Sequence, residues 1–350
     1  MKKYFISCYL PKENHAGFKA VRDSEVLFEE LFYKRIFINE FKIKGREVFR
    51  KLTRGCFFFF KIIKIRKNSI IILNYPQFNK VFYYFLLGLR KYRKYHLIFL
   101  IHDIESIRTT EIKLLTEKEE NKVFYEFDYL ISHNEKMTQY LMKVCGVDSK
   151  KIVNLQLFDY LVKEKELDKS LRKENTVVVA GNLDINKAGY LYKLADIFKK
   201  ISLNAYGPNC KQENFSGNYK GSFLPEEIPS VLSGKYGLVW DGESLDSCRG
   251  DYGNYLKYNN PHKVSLYLVS GLPVIIWKQA ALADLIEKEN LGIIIDNLYE
   301  LEEKILSVSK EEYEVMLNNV EQYREKLKRG EFLKNAIKEI EKRIEKNSFV

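Results

Sequence analysis

The chain has 350 residues, 30% of them charged and 46% hydrophobic, which excludes a disordered polyelectrolyte and a collagen-like repeat and suits two domains better than one. Its net charge is +11, but residues 1–100 hold 22 Lys and Arg against 7 Asp and Glu, an excess of +15, and the other 250 carry −4. A basic first part and a near-neutral second part are expected to face different partners.

The N-terminus runs straight into the strand-like Tyr4–Leu10, without the apolar region and small-residue cleavage site of a secretory signal. No apolar run approaches the ~20 residues of a membrane-spanning helix; Val81 to Leu89 stops at Arg90. Five cysteines (Cys8, Cys56, Cys145, Cys210, Cys248) are scattered with no CxxC pair, so neither a disulfide framework nor a zinc site is expected, and the reading is a cytoplasmic protein. Further strands are predicted at Arg35–Ile38, Ser69–Leu73, Leu97–Ile101 and Tyr129–Ser132. Helices are predicted at Ala16–Phe32, Gly45–Ile63, Phe78–Tyr92, Glu117–Phe127 and Glu135–Val144. Such alternation predicts a parallel sheet, because parallel neighbours need a crossover helix.

The charged, aperiodic stretch 163–175 reads as a linker, closing a first domain at residues 1–162. The rhythm then restarts over 176–328. Strands are predicted at Thr176–Ala180, Leu203–Tyr206, Gly237–Trp240, Pro273–Trp277 and Leu291–Ile295, and helices at Lys187–Lys199, Pro225–Leu232, His262–Val269 and Ala280–Lys288. Lys310 to Lys346 reads as a charged helical tail, and residues 329–350 as a helix returning to the first domain. The fold class is therefore α/β, two Rossmann-like domains whose parallel sheets face a central cleft. Ligands of open parallel sheets bind beyond the carboxyl ends of the strands, so residues just after strands are the candidates.

In the second half, Ala180-Gly181-Asn182-Leu183 follows a strand and precedes a helix, with Lys187 one turn on. Glycine allows close backbone approach, and a helix N-terminus with a lysine favours a phosphate. An ordinary strand-to-helix turn with a solvated lysine would read the same way. Asn259-Asn260-Pro261-His262-Lys263 opens a helix that ends at Gly271 before the strand-like Pro273-Val274-Ile275. Lys263 then opposes the helix dipole, which points to an anionic ligand. Asp246 to Asn254, with Gly250 and Gly253, reads as a flexible flap over that ligand.

In the first half, Ile101-His102-Asp103 ends a strand and offers a histidine and a carboxylate to the cleft, unless the pair only closes a turn. His15-Ala16-Gly17-Phe18-Lys19 opens a helix after the first strand, with Gly17 for close approach, Lys19 and Arg22 for charge, and Asp23 as a second candidate base. His133 and Asn134 follow another strand and read either as acceptor contacts or as a strand end with a helix cap. The basic, aromatic Lys42–Lys67, including Phe57 to Phe60, reads either as a membrane-facing surface or as a buried helix face with solvated lysines.

Pro261-x-Lys263, a helix and then Gly271-x-Pro273-Val274-Ile275 resembles the nucleotide-sugar domain of GT-B glycosyltransferases. The stretch Gly237-Leu238-Val239-Trp240-Asp241-Gly242 through Lys263, with Ala280-Ala281-Leu282-Ala283-Asp284, is similar to the bacterial β-1,6-galactofuranosyltransferases. So are Ala16 to Ala20 with Asp23, Ile101 to Ile104, Ser132-His133-Asn134, Phe158-Asp159-Tyr160-Leu161-Val162 and Tyr219-Lys220-Gly221-Ser222-Phe223. The same superfamily includes glucosyltransferases that extend GlcNAc on serine-rich adhesins. One departure is Leu266, where many retaining GT-B enzymes carry a ribose-binding glutamate.

The resemblance implies an inverting, UDP-sugar-dependent transferase of surface polysaccharide assembly, moving galactofuranose to a lipid-linked saccharide. Catalysis is expected from Asp103 helped by His102, with Asp23 as alternative and Asp241 and Glu243 next. Donor contacts are expected from Gly17, Lys19, Gly181, Asn182, Lys187, Tyr219, Asn260, Pro261, His262 and Lys263, and acceptor contacts from His133 and Asn134. Asp103-Ile104-Glu105 superficially matches a metal-binding DxD, but GT-B enzymes as a class work without metal, so no cofactor and no metal are expected. Peripheral membrane contact and homo-oligomerisation fit this reading, and nucleic acid does not. The rivals are a UDP-glucose-dependent glucosyltransferase acting on a GlcNAc-modified protein, and a non-catalytic basic protein binding membrane or nucleic acid.

Overall fold

The computed structural model describes residues 1–8, 16–38, 61–108, 113–162 and 169–348. The predicted helix at Gly45–Ile63 and the Phe57–Phe60 run lie outside these residues, apart from Lys61 to Ile63, as do His15 and residues 163–168 of the linker.

The first sheet is parallel throughout: β1 (Lys2–Cys8), β2 (Lys34–Ile38), β3 (Ser69–Tyr75), β4 (His96–Ile101), β5 (Tyr129–Ser132) and β6 (Ile152–Asn154) lie in the order β2-β1-β3-β4-β5-β6. Every residue of β3 is buried, as expected for a central strand covered on both faces. Its helices are α1 (Ala16–Glu30), α2 (Lys80–Arg93), α3 (Glu117–Glu126) and α4 (Glu135–Lys143). Asn79 caps α2, Thr116 builds a capping box with Glu119 on α3, and Asn134 caps α4.

The second sheet holds β7 (Thr176–Ala180), β8 (Ser202–Tyr206), β9 (Asn218–Tyr219), β10 (Tyr236–Val239), β11 (Val274–Trp277) and β12 (Gly292–Ile295), ordered β12-β11-β10-β7-β8-β9. This is the doubly wound order of dinucleotide-binding folds, and its direction reverses between β7 and β10. The helices are α5 (Ile185–Ile197), α6 (Gly250–Tyr255), α7 (His262–Val269), α8 (Ala283–Lys288), α9 (Leu301–Ser307) and α10 (Lys310–Lys328). Of the predicted helix at Pro225–Leu232 only a 3₁₀ turn, Ile228–Ser230, forms, because Pro229 removes a backbone donor. The predicted flap contains a real helix, α6.

The predicted charged tail is two helices. Gly330, at φ +68°, separates α10 from α11 (Glu331–Ser348). α10 lies against α7, whereas α11 lies against the first sheet: Lys3 pairs with Glu341 at 2.7 Å, Tyr33 Oη donates to Glu341 at 2.6 Å, and Arg343 donates to the Ile152 carbonyl at 3.0 Å. Ile337, Ile340 and Ile344 of α11 join Phe5, Phe28 and Ile98 in one apolar core. No helix among the described residues is long and apolar enough to cross a membrane.

Candidate active site

Gly181, Asp241 and Lys263 meet at the point where the second sheet reverses direction. Gly181 follows β7 at φ +142°, and its carbonyl approaches Gly207 so closely that a Cβ on Gly207 would stand 1.8 Å from it. Tyr219 Oη donates to the Gly207 carbonyl at 3.0 Å and buttresses this contact. A Cβ on Gly181 would lie 3.0 Å from Lys263 Cε, so the missing side chain is the space through which Lys263 passes. Lys263 rises from the first turn of α7, and its Nζ donates to Asp241 at 2.8 Å and to the Trp240 carbonyl at 3.3 Å. Pro261 occupies the cap position and no side chain caps α7. Asn182 shapes the adjoining turn, accepting from Asp184 N–H at 3.1 Å and Asn209 Nδ2 at 2.9 Å.

Lys187 stands in the first turn of α5 with its Nζ 5.1 Å over the Tyr252 ring. Burial pushes its pKa down; Lys263 and Arg108 act the same way, and Asp241 and Asp103 oppose them. A lysine depressed by two neighbouring cations is poised to gain from an arriving anion.

Across the cleft, Asp103 lies two residues beyond β4, paired with Arg108 and 24% exposed at its side chain. Burial raises its pKa, while Arg108, a hydrogen bond from Tyr255 and the charge of Lys187 lower it. The turn carrying Asp103 is fixed from below by the fully buried Glu120. That carboxylate accepts Glu105 N–H at 2.8 Å, Ser106 N–H at 3.0 Å and Tyr75 Oη at 2.7 Å. Glu105 accepts Leu114 N–H at 3.0 Å and is 5% exposed, so the two carboxylates of Asp103-Ile104-Glu105 serve different places.

Several sequence candidates are engaged elsewhere. Lys19 and Asp23 form a buried pair at 2.6 Å that grips the Leu161 peptide: Lys19 donates to its carbonyl at 2.6 Å and Asp23 accepts its N–H at 2.9 Å. Burial raises Asp23 to about 6 against the pull of Lys19. Gly17 lies in the first turn of α1. His102 hydrogen-bonds Asn74 at 3.0 Å and stacks on Phe158 at 5.3 Å, rather than meeting Asp103; burial lowers it to about 3, so the ring is neutral.

His133, Asn134 and Asn260 form a seam between the domains. His133 Nδ1 accepts Asn260 N–H at 2.9 Å, and its Nε2 bonds the Ile101 carbonyl at 2.9 Å. Asn260 Nδ2 donates to the carbonyls of His133 at 2.7 Å and Gln156 at 2.9 Å, and its Oδ1 accepts from Asn134 at 2.7 Å. Asn134 Oδ1 caps α4 through Met137 N–H at 3.0 Å. These groups are satisfied by one another. His262 stacks on Tyr160 at 4.9 Å, and its buried Nε2 has no hydrogen-bond partner.

The cleft therefore gathers Lys187, Lys263 and Arg108 around Asp103 and Asp241, an arrangement that attracts an anion beside a carboxylate. Arg108 and Tyr255 were missed by the sequence reading. Arg108 pairs with Asp103 inside the same irregular turn, Tyr255 reaches that turn from the opposite domain, and neither sits in a periodic segment that would have marked it.

The family models described as the N-terminal and C-terminal domains of glucosyltransferase 3-like proteins match residues 2–157 and 177–340. The chain is 31% identical over 345 residues, 96% of its own length and 98% of the relative's, to the β-1,6-galactofuranosyltransferase WbbI of Escherichia coli K12. It is 33% identical over 113 residues, 32% of its length and 33% of the relative's, to glucosyltransferase 3 of Streptococcus gordonii. Among solved structures, WaaG, a glycosyltransferase involved in lipopolysaccharide biosynthesis, superposes with a TM-score of 0.56 at 10% identity, covering 95% of this chain and 98% of that one. The two facing parallel sheets are the GT-B fold.

Proposed function

We propose that this chain, which belongs to the family of the β-1,6-galactofuranosyltransferase WbbI and is a glycosyltransferase, transfers galactofuranose from UDP-galactofuranose to a hydroxyl of a lipid-linked saccharide in surface polysaccharide assembly. The observation that carries this reading is the likeness over nearly the whole of both chains.

In the proposed reaction Asp103 takes the proton of the acceptor hydroxyl as its oxygen attacks the anomeric carbon from the face opposite UDP. The bond from that carbon to the β-phosphate oxygen breaks, its electron pair leaves with UDP, and a single displacement inverts the centre. Lys263 and Lys187 stabilise the charge that grows on the diphosphate, with Gly181 leaving the space through which Lys263 passes. These cations supply the positive charge that a metal would otherwise bring, and the proposal needs no cofactor. His102 has no direct part, because its ring bonds Asn74. Association with the membrane that carries the acceptor, at the inner face of a cell, completes the proposal.

A second reading is favoured by the glucosyltransferase 3 likeness: glucose transfer from UDP-glucose to a GlcNAc-modified protein. Competition among UDP-galactofuranose, UDP-galactose and UDP-glucose, with and without acceptor glycolipid, separates the two. Asp103→Asn tests the base: transfer should fall by ~10²–10⁴, with UDP affinity nearly intact. Near-normal turnover in Asp103→Asn, with loss in Asp23→Asn, would move the base to Asp23.

A further inference from the structure

The short helix α6 belongs to the UDP-binding domain by sequence, yet its last side chain ends in the turn of the other domain. Tyr255 is 4% exposed; its Oη accepts Ile104 N–H at 2.9 Å, which leaves the phenolic proton facing the neighbouring Asp103 carboxyl, whose pKa it lowers. Both partners are adjacent residues of one turn. A tyrosine needed only for its ring would have no use for a hydroxyl anchored on this turn.

The other side of α6 is tied to the donor machinery. A Cβ on Gly253 would meet the Cys248 carbonyl carbon at 2.5 Å and the Asp241 carbonyl oxygen at 3.0 Å. Leu256 accepts Ala281 N–H at 2.8 Å, and the Tyr252 ring lies under Lys187. A continuous packed path therefore runs from Asp241, which holds Lys263, through α6 to Asp103.

We infer that Tyr255 is a positioning residue, lent by the donor domain, that orients the Asp103 carboxylate so that the base is aligned only while the two domains are closed on each other. The inference rests on Asp103 being the base. Arg108, Lys187 and Tyr255 face its carboxylate, with Glu105 and Glu120 behind the turn. Burial and the charge of Asp103 push the phenol of Tyr255 well above its ordinary value, so it remains a donor at every working pH. Losing that donor raises the pKa of Asp103, and the acidic limb of the rate profile moves to higher pH.

The test is Tyr255→Phe in the full chain, read by UDP release from UDP-galactofuranose with a panel of octyl hexosides, by UDP calorimetry, and by ¹³C NMR titration of the Asp103 carboxyl assigned with Asp103→Asn. We expect UDP affinity within about twofold, kcat down roughly tenfold, and both the acidic limb and the carboxyl titration shifted upward. Tyr255→3-fluorotyrosine, a stronger donor of the same shape, should shift both downward, which covers the case of a poorly folded phenylalanine variant. An unmoved carboxyl titration in either folded variant overturns the inference, even if kcat falls, because that is the mark of a packing role. Full turnover in Asp103→Asn would sink the base assignment instead.

Discussion

Lys263→Ala removes an ammonium that Asp241 holds at 2.8 Å and that Gly181 leaves room for. A charge-assisted hydrogen bond contributes ~1.5–3 kcal/mol, which at ~1.4 kcal/mol per decade weakens UDP binding roughly 10- to 150-fold. A second effect has the same sign. Asp241, 10% exposed at its side chain, loses its cation and directs an uncompensated charge at the diphosphate. The double variant Lys263→Ala with Asp241→Asn removes both charges, so it should bind UDP more tightly than Lys263→Ala alone, a non-additivity that isolates the pair. Calorimetric Kd values for UDP on the four proteins of this cycle are the assay. Thermal melts must accompany them, since leaving one member of a buried pair costs up to ~3–5 kcal/mol. A folded Lys263→Ala with unchanged Kd would refute the donor-site assignment. A double variant no better than the single would remove Asp241 from the argument.

Asn260→Ala should lower the denaturation midpoint, since it strands His133, Gln156 and Asn134 groups at ~1–3 kcal/mol each, while leaving UDP affinity intact; a stable variant that loses UDP would return Asn260 to the donor site. Burial holds Asp159 at about 7 and Asp23 at about 6, both above the ordinary carboxylate value. Their stabilising contribution is therefore complete below about pH 4 and lost as pH rises through 6–7. Asp159→Asn should accordingly show a smaller fall in melting temperature from pH 5 to 8 than the parent, and equal falls would contradict the linkage. Transfer should persist in EDTA; full loss restored by manganese would defeat the metal-free scheme. Gly207→Ala should fail to fold stably, judged by soluble yield and melting, because its methyl group would overlap the Gly181 carbonyl.

The architecture was legible because buried strands and amphipathic helices alternate throughout the chain. The position of Lys263 was legible as well, since a lysine in a helix's first turn after proline is a local anomaly. Other features depend on residues far apart in sequence. A polar pair after a strand, such as His133-Asn134, has the same local signature whether it meets a sugar or Asn260, 126 residues away from Asn134. Lys19 and Asp23 look like a cleft-facing pair until the Leu161 peptide, 142 residues beyond Lys19, is placed between them. Arg108 sits in an irregular turn and Tyr255 on a six-residue helix, where no periodicity can signal a function.

The last helix carries a consequence for how the molecule is made. Ile337, Ile340 and Ile344 share an apolar core with Phe5 and Ile98 of the first sheet and Phe28 of α1, and their helix packs on α1 and β6. During synthesis that sheet emerges first, yet its covering layer is encoded by residues 331–348. A nascent chain halted after the second domain therefore carries a bare apolar face, which is a natural surface for a chaperone to hold until translation ends.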